Sequence, residues 1–265
     1  MLTIKNLIFL GEAIVIAIAF LAVASCHKGE GDQERIVHQD MTVKTISDTL
    51  QLTKDSSDDT ANFLYVFKAE LDIPTDGPKP LVDSVKLVIA KELYDMFDGG
   101  DAEEKTHIPL EKVLEWNDGN IITSFINHYG PLYEKYAMGV GEVCLVMKLV
   151  AQSKTYVTYY VEQTDCGASC NHDYKYYTLR KSDGHLLENV ITDKELRKFV
   201  KKHPQYEVDD DAVIRFIGLS DGGLLYGIHI LFGDQGSEGG TEIDTIPYTL
   251  VKSYLDKEAR ELIQN

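Results

Sequence analysis

The chain is poor in the residues that mark many functional classes. Tryptophan occurs once in 265 residues and cysteine four times, with no diagnostic zinc spacing. Cations are scarce: 26 Lys and Arg stand against 43 Asp and Glu, a net charge of −17. So acidic a surface repels nucleic acid and anionic lipid head groups, so no nucleic-acid partner is expected. It attracts a cationic partner by long-range, salt-dependent steering, although acidity also serves simply to keep an exported protein soluble. Internal repeats and low-complexity tracts are lacking, and no catalytic motif stands out. The apolar run at 13–24 falls short of the about 20 residues that a bilayer-spanning helix needs.

That run is nonetheless informative. Lys5 precedes it, and it ends in Val23-Ala24-Ser25-Cys26. Branched apolar, small, small, then cysteine is the order of bacterial lipoprotein signals. Small residues fit a peptidase cleft, and the Cys26 thiol is then the lipid attachment point. Each buried methylene of an acyl chain contributes roughly 0.8 kcal/mol to anchoring. The alternative is a plain transmembrane anchor. Glu12 is odd in a signal core, but a centred charge in a membrane span costs roughly 3 kcal/mol or more. Either way residues 27 onward face away from the cytoplasm, and the expected location is the cell envelope. Residues 1–25 are therefore expected to be a signal peptide and 26–40 a polar tether without periodicity. Removing 25 residues from 265 leaves 240, enough for a sizeable core. Lys5 and Glu12 cancel, so the mature part keeps the whole acidic charge.

Two α+β subdomains of similar size are expected, at 41–138 and 139–265, with antiparallel sheets packed against helices. Residues 42–52 and 63–71 read as strands, and Pro74, Gly77, Pro78 and Pro80 break the chain. Leu81, Val85, Val88, Ile89, Leu93, Met96 and Phe97 then share one helical face. Further helical pattern runs from Pro109 to Tyr129, interrupted at 117–120. Strands follow at 143–150 and 155–163, then a ten-residue loop at 164–173 and a strand at 174–180. Thr192 and Glu195 form a capping box for the next helix, with Ile191 and Leu196 as its staple. Strands at 213–219 and 224–232, a glycine-rich acidic loop at 233–240, a strand at 243–248 and a closing helix complete the chain. Val251, Tyr254, Leu255, Ala259 and Leu262 are the inward face of that helix.

The order of motifs from about 140 to 263 resembles the RsiV-like domain family. Gly167-Ala168-Ser169-Cys170-Asn171 stands where that family has Gly-Ala-His-Gly-Asn, keeping Gly, Ala and Asn and losing the His and second Gly. Tyr177-Thr178-Leu179, Ser182-Asp183-Gly184, Leu224-Leu225-Tyr226 and Ile246-Pro247-Tyr248 match its later segments. The family occurs in the lysozyme-sensing part of an envelope anti-sigma factor and beside deacetylase domains of cell-wall enzymes. Only residues 1–6 precede the apolar stretch that begins at Leu7, so sigma-factor control is not expected to carry over. The resemblance implies an extracytoplasmic recognition module for a lysozyme-like cationic protein or a peptidoglycan fragment, tied to the membrane through lipid.

Local chemistry leaves alternatives open. Cys166 and Cys170, four apart, form a disulfide, remain two free thiols, or hold a metal with His172 and His185; the disulfide is the expectation, and no metal or cofactor is called for. Cys144, inside an apolar strand, is expected in the core. Gly167, Ala168, Asn171 and His172 make the candidate binding loop. Of the tyrosines in two adjacent strands, about half should face inward. Tyr156, Tyr160, Tyr174 and Tyr176 are the candidate aromatic face for stacking on sugar rings. Residues 233–240 lack the regular oxygen pattern of a calcium loop. No catalytic residue is assigned. The expected function is a non-catalytic envelope lipoprotein that binds protein or glycan, the alternative being a cell-wall-modifying hydrolase.

Overall fold

The structure, a computed structural model, describes residues 40–54, 63–97, 122–124, 141–167, 170–206, 213–232 and 237–264. Cys26, the signal peptide, the tether up to residue 39, Ala168, and the helical pattern from Pro109 onward apart from 122–124 lie outside the described residues.

Two sheets carry the fold. β1 (Thr42–Lys54) and β2 (Phe63–Asp76) form an antiparallel hairpin. Pro74, which has no N–H for a ladder, sits where the β1–β2 register shifts. Gly77, at φ +144°, then turns the chain against Met41. It leads into α1 (Lys79–Phe97), with Pro80 in the first turn, where a missing donor costs nothing. β3 (Gly141–Gln152), β4 (Tyr156–Cys166) and β5 (Cys170–Arg180) then extend the sheet to the order β1-β2-β3-β4-β5.

The expectation of purely antiparallel sheets needs one amendment. β2 and β3 pair in parallel over Tyr65–Leu71. Parallel neighbours need a long crossover rather than a hairpin, and the chain from Gly77 to Val140 with α1 supplies it. The expected boundary at 138/139 therefore runs between two hydrogen-bonded strands, and His38–Asn265 groups as one compact unit.

α1 lays Leu81, Val85, Val88, Ile89 and Leu93 on one face of the sheet, all buried. Phe67, Leu71 and Ile73 from β2, Leu145 and Met147 from β3, and Val157, Tyr159 and Val161 from β4 complete that core. These strand positions alternate, as a pleated sheet with one covered face requires.

The second sheet holds β6 (Val213–Leu219), β7 (Gly223–Phe232) and β8 (Ser237–Pro247) in sequence order, all antiparallel. α2 (Asp193–Lys202) starts as its capping box predicts, with the Glu195 amide donating to the Thr192 hydroxyl at 3.4 Å. The closing helix is broken: α3 (Tyr248–Val251), a 3-10 turn, and α4 (Lys257–Leu262), capped by Asp256. Asp256 explains the break, because its carboxylate takes the Glu258 amide and starts a new helix. Val251, Leu255, Ala259 and Leu262 still point inward, onto Phe199, Leu219, Leu224 and Ile246. β8 begins earlier than the expected 243, so residues 237–240 of the glycine-rich segment are strand.

Candidate functional site

β4 and β5 stay in antiparallel register from Tyr156↔Arg180 to Cys166↔Cys170. The expected ten-residue loop at 164–173 is therefore a hairpin that remains paired almost to its tip. Thr164, Asp165, Asn171, His172 and Asp173 are mostly poor strand formers by propensity, but ladder pairing outweighs that preference. A disulfide joins Cys166 to Cys170 across the last pair. This closes the alternatives of free thiols and of thiolate metal ligands. Among the described residues no group of three or more His, Cys, Asp or Glu side chains is placed to hold a metal ion. Gly167 and Asn171 are exposed at the tip.

Period-two alternation divides these strands into two faces. Tyr159, Val161, Gln163, Lys175, Tyr177 and Leu179 look toward α1. Tyr160, Glu162, Thr164, His172, Tyr174, Tyr176 and Thr178 occupy the other face. β6 covers the Thr178 end. The Leu219 amide donates to the Thr178 hydroxyl at 3.2 Å, which lies 3.0 Å from the Thr158 hydroxyl. Gly218 permits this approach, since a Cβ there would sit 2.8 Å from Thr158 Cγ2 and 2.9 Å from Tyr176 Cβ.

Tyr156 shares the face but not the surface. It is 2% exposed and belongs to the second core, with its hydroxyl donating to the Ser220 carbonyl at 2.7 Å. The candidate aromatic face thus loses Tyr156, because the second sheet packs over the end of β4 that carries it. The Tyr248 hydroxyl donates to the same carbonyl at 2.7 Å, and burial pushes both phenols above their ordinary range.

The other three tyrosines and His172 form a partly buried strip toward the hairpin tip. The Tyr160 ring lies 6.3 Å from Tyr174, inclined at 24°, and 5.7 Å from Tyr176. The His172 ring lies 6.1 Å from Tyr174 and within 5° of parallel. Polar groups are set among the rings. His172 Nδ1 is 3.1 Å from the Thr164 hydroxyl and 3.9 Å from a Glu162 carboxylate oxygen, and the Tyr160 hydroxyl donates to Glu162 at 3.4 Å. Burial, then Glu162, raises the Tyr160 phenol, and burial alone pushes Tyr176 up to about 12. Both are therefore neutral at ordinary pH. Rings and hydroxyls in alternation can stack on an apolar ligand face and hydrogen-bond its rim. Glu162 and Thr164 were absent from the sequence-based candidates, although counting by twos from Tyr160 finds both.

The same face continues across β3 and β2 with a different character. Lys68 pairs with Glu142 at 2.8 Å, and Lys148 with Glu70 and, at 3.6 Å, with Asp72. Cys144 lies here and not in the core, because β3 alternates and Val143 and Leu145 take the buried phase. Its Sγ donates to Glu142 at 3.2 Å. Partial burial, then Glu142, pushes the thiol up to about 11.

No family model matches the chain, and no curated protein matches it. Its fold is similar to that of a DUF3298 family member from Bacteroides fragilis NCTC 9343, at 12% identity and a TM-score of 0.54, covering 84% of this chain and 98% of that one. A DUF3298 family protein from Pseudomonas aeruginosa PAO1 aligns at 9% identity with a TM-score of 0.49, covering 84% and 97%.

Proposed function

We propose that this chain is a non-catalytic, lipid-anchored binding module of the cell envelope, and that its ligand surface is the strip of Tyr160, His172, Tyr174 and Tyr176. The observation that carries this reading is the near-parallel stacking of His172, Tyr174 and Tyr160 beside Glu162 and Thr164 on one face of β4 and β5, whose Thr178 end β6 covers. The ligand class that fits is a cell-wall glycan, whose pyranose faces stack on rings and whose hydroxyls need donors and acceptors at the edge. Lipid attachment at Cys26 belongs to the same proposal and rests on the sequence around it. The RsiV-like resemblance in the order of segments, together with a fold like that of DUF3298 family proteins, supports an extracytoplasmic setting.

Titration of the full chain in detergent with chitotetraose and with peptidoglycan fragments tests the ligand. Saturable binding that Tyr174→Ala weakens about tenfold is expected, a loss of the size seen for removed ring stacking. Absence of binding to every fragment would overturn the glycan reading, and turnover of a fragment would replace it with the hydrolase. A second reading, a lysozyme-like cationic protein as partner, draws on the net charge of −17. It requires lysozyme binding that weakens steeply as salt rises.

A further inference from the structure

Behind the aromatic strip, on the other side of the same two strands, a carboxylate lies where packing alone asks for none. Glu92 falls on the apolar stripe of α1, between Ile89 and Leu93, and is fully buried. It accepts hydrogen bonds from the Tyr177 hydroxyl, from Gln163 Nε2 at 2.7 Å and from Lys175 Nζ at 3.3 Å. Lys91 Nζ stands 3.9 Å away on the same helix, and Asp173 pairs with Lys175 at 3.1 Å. Lys175 and Tyr177 alternate along β5 with Tyr174 and Tyr176. Gln163 sits between Glu162 and Thr164 on β4.

A buried ion pair is weak evidence of stabilisation, because apolar residues of like volume often do as well or better. What it does well is fix geometry, since each donor must be met at one distance and angle. We infer that Glu92 is a positioning residue: through Tyr177, Lys175 and Gln163 it holds the far halves of β4 and β5, and so sets the spacing of the rings on the opposite face. Beyond Leu179 toward the tip, the fully buried apolar residues give way on β5 to Tyr177 and Lys175 among the described residues, and the clamp stands at that point. The inference rests on the reading of the strip as a ligand surface.

The test separates geometry from stability. In the full chain, the triple variant Glu92→Leu, Lys175→Met, Tyr177→Phe removes the clamp without leaving a buried charge. It is expected to unfold at nearly the wild-type temperature. Amide exchange over residues 170–177 should nonetheless speed up about tenfold, and chitotetraose affinity should fall by a similar factor. The single change Glu92→Gln, which keeps an acceptor for Tyr177, should recover most of both. Unchanged exchange over 170–177 in the triple variant overturns the inference, as does faster exchange with wild-type affinity. If the triple variant does not fold, Tyr177→Phe alone decides, with faster exchange at 170–177 expected and none overturning. A wild-type chain that binds no glycan defeats the ligand reading, while the exchange measurement still decides the role of Glu92.

Discussion

The two faces of β4 and β5 share one backbone and differ in almost everything else. Toward α1, Val157, Tyr159, Val161 and Leu179 are fully buried, with Gln163, Lys175 and Tyr177 partly buried nearer the tip. On the reverse, Tyr156, Thr158 and Thr178 are buried at the end the second sheet covers, and Tyr160, Glu162, Thr164, His172, Tyr174 and Tyr176 are only partly buried. Tyrosine appears on both, so residue type does not separate them. Tyr159 serves the core under α1 and its neighbour Tyr160 the opposite face, because a pleat sends adjacent side chains to opposite sides. The lesson is that a tyrosine-rich strand has to be read by parity and by what packs over each side, not by composition.

The comparison breaks if the faces respond alike to substitution. Tyr159→Ala should give the largest effect, about 3–5 kcal/mol lost in denaturant unfolding, since it empties a filled core site. Gly218→Ala should cost about 1–3 kcal/mol in the same measurement, because the new methyl overpacks against Thr158 and Tyr176 where the second sheet meets the first. Tyr159→Phe is smaller and of opposite sign. The Tyr159 hydroxyl is buried with no hydrogen-bond partner among the described residues, so its removal should be neutral or stabilise by about 1 kcal/mol. Tyr174→Ala should cost only about 1 kcal/mol, the loss of its ring contacts with Tyr160 and His172, while weakening glycan binding. Equal stability losses at Tyr159 and Tyr174 would erase the distinction between the faces. The mildest test concerns Cys144. With a thiol at about 11 rather than 9.0, iodoacetamide labelling at pH 8 should be slow and should keep accelerating past pH 9. The linkage has a definite sign: the folded chain holds its proton longer than the unfolded one, so stability is constant below pH 9 and falls between 9 and about 11.

Much of the fold is legible in the chain. The stripe from Leu81 to Leu93 announces α1, Thr192 and Glu195 announce α2, and both expectations match. Harder to see were features decided by distant contacts. Val143 to Val150 is nearly all apolar, so its phase is hidden, and Cys144 was assigned to the wrong face. Only pairing with β2 and β4 reveals that the even positions of β3 look outward. The extension of β4 and β5 to the disulfide runs against local propensity. Tyr156 carries no sign in its own strand that the second sheet will cover it. Glu92 was not singled out from the chain, and nothing nearby in the sequence foretells Tyr177, Lys175 and Gln163 around it. Of the candidate site, the rings were legible and their neighbours Glu162 and Thr164 were derivable by counting, but the clamp behind them was not.

The parallel junction between β2 and β3 has a consequence for how the molecule assembles. The β1–β2 hairpin and the β3–β4–β5 meander are each built from near neighbours in the chain, which form early because little chain entropy opposes them. Joining them means docking two finished pieces edge to edge across everything between Gly77 and Val140. Until that happens, the inner edges of β2 and β3 both stand open as templates for any other strand. The hazardous interval in the life of this protein is therefore the wait before docking, when each half carries one bare edge.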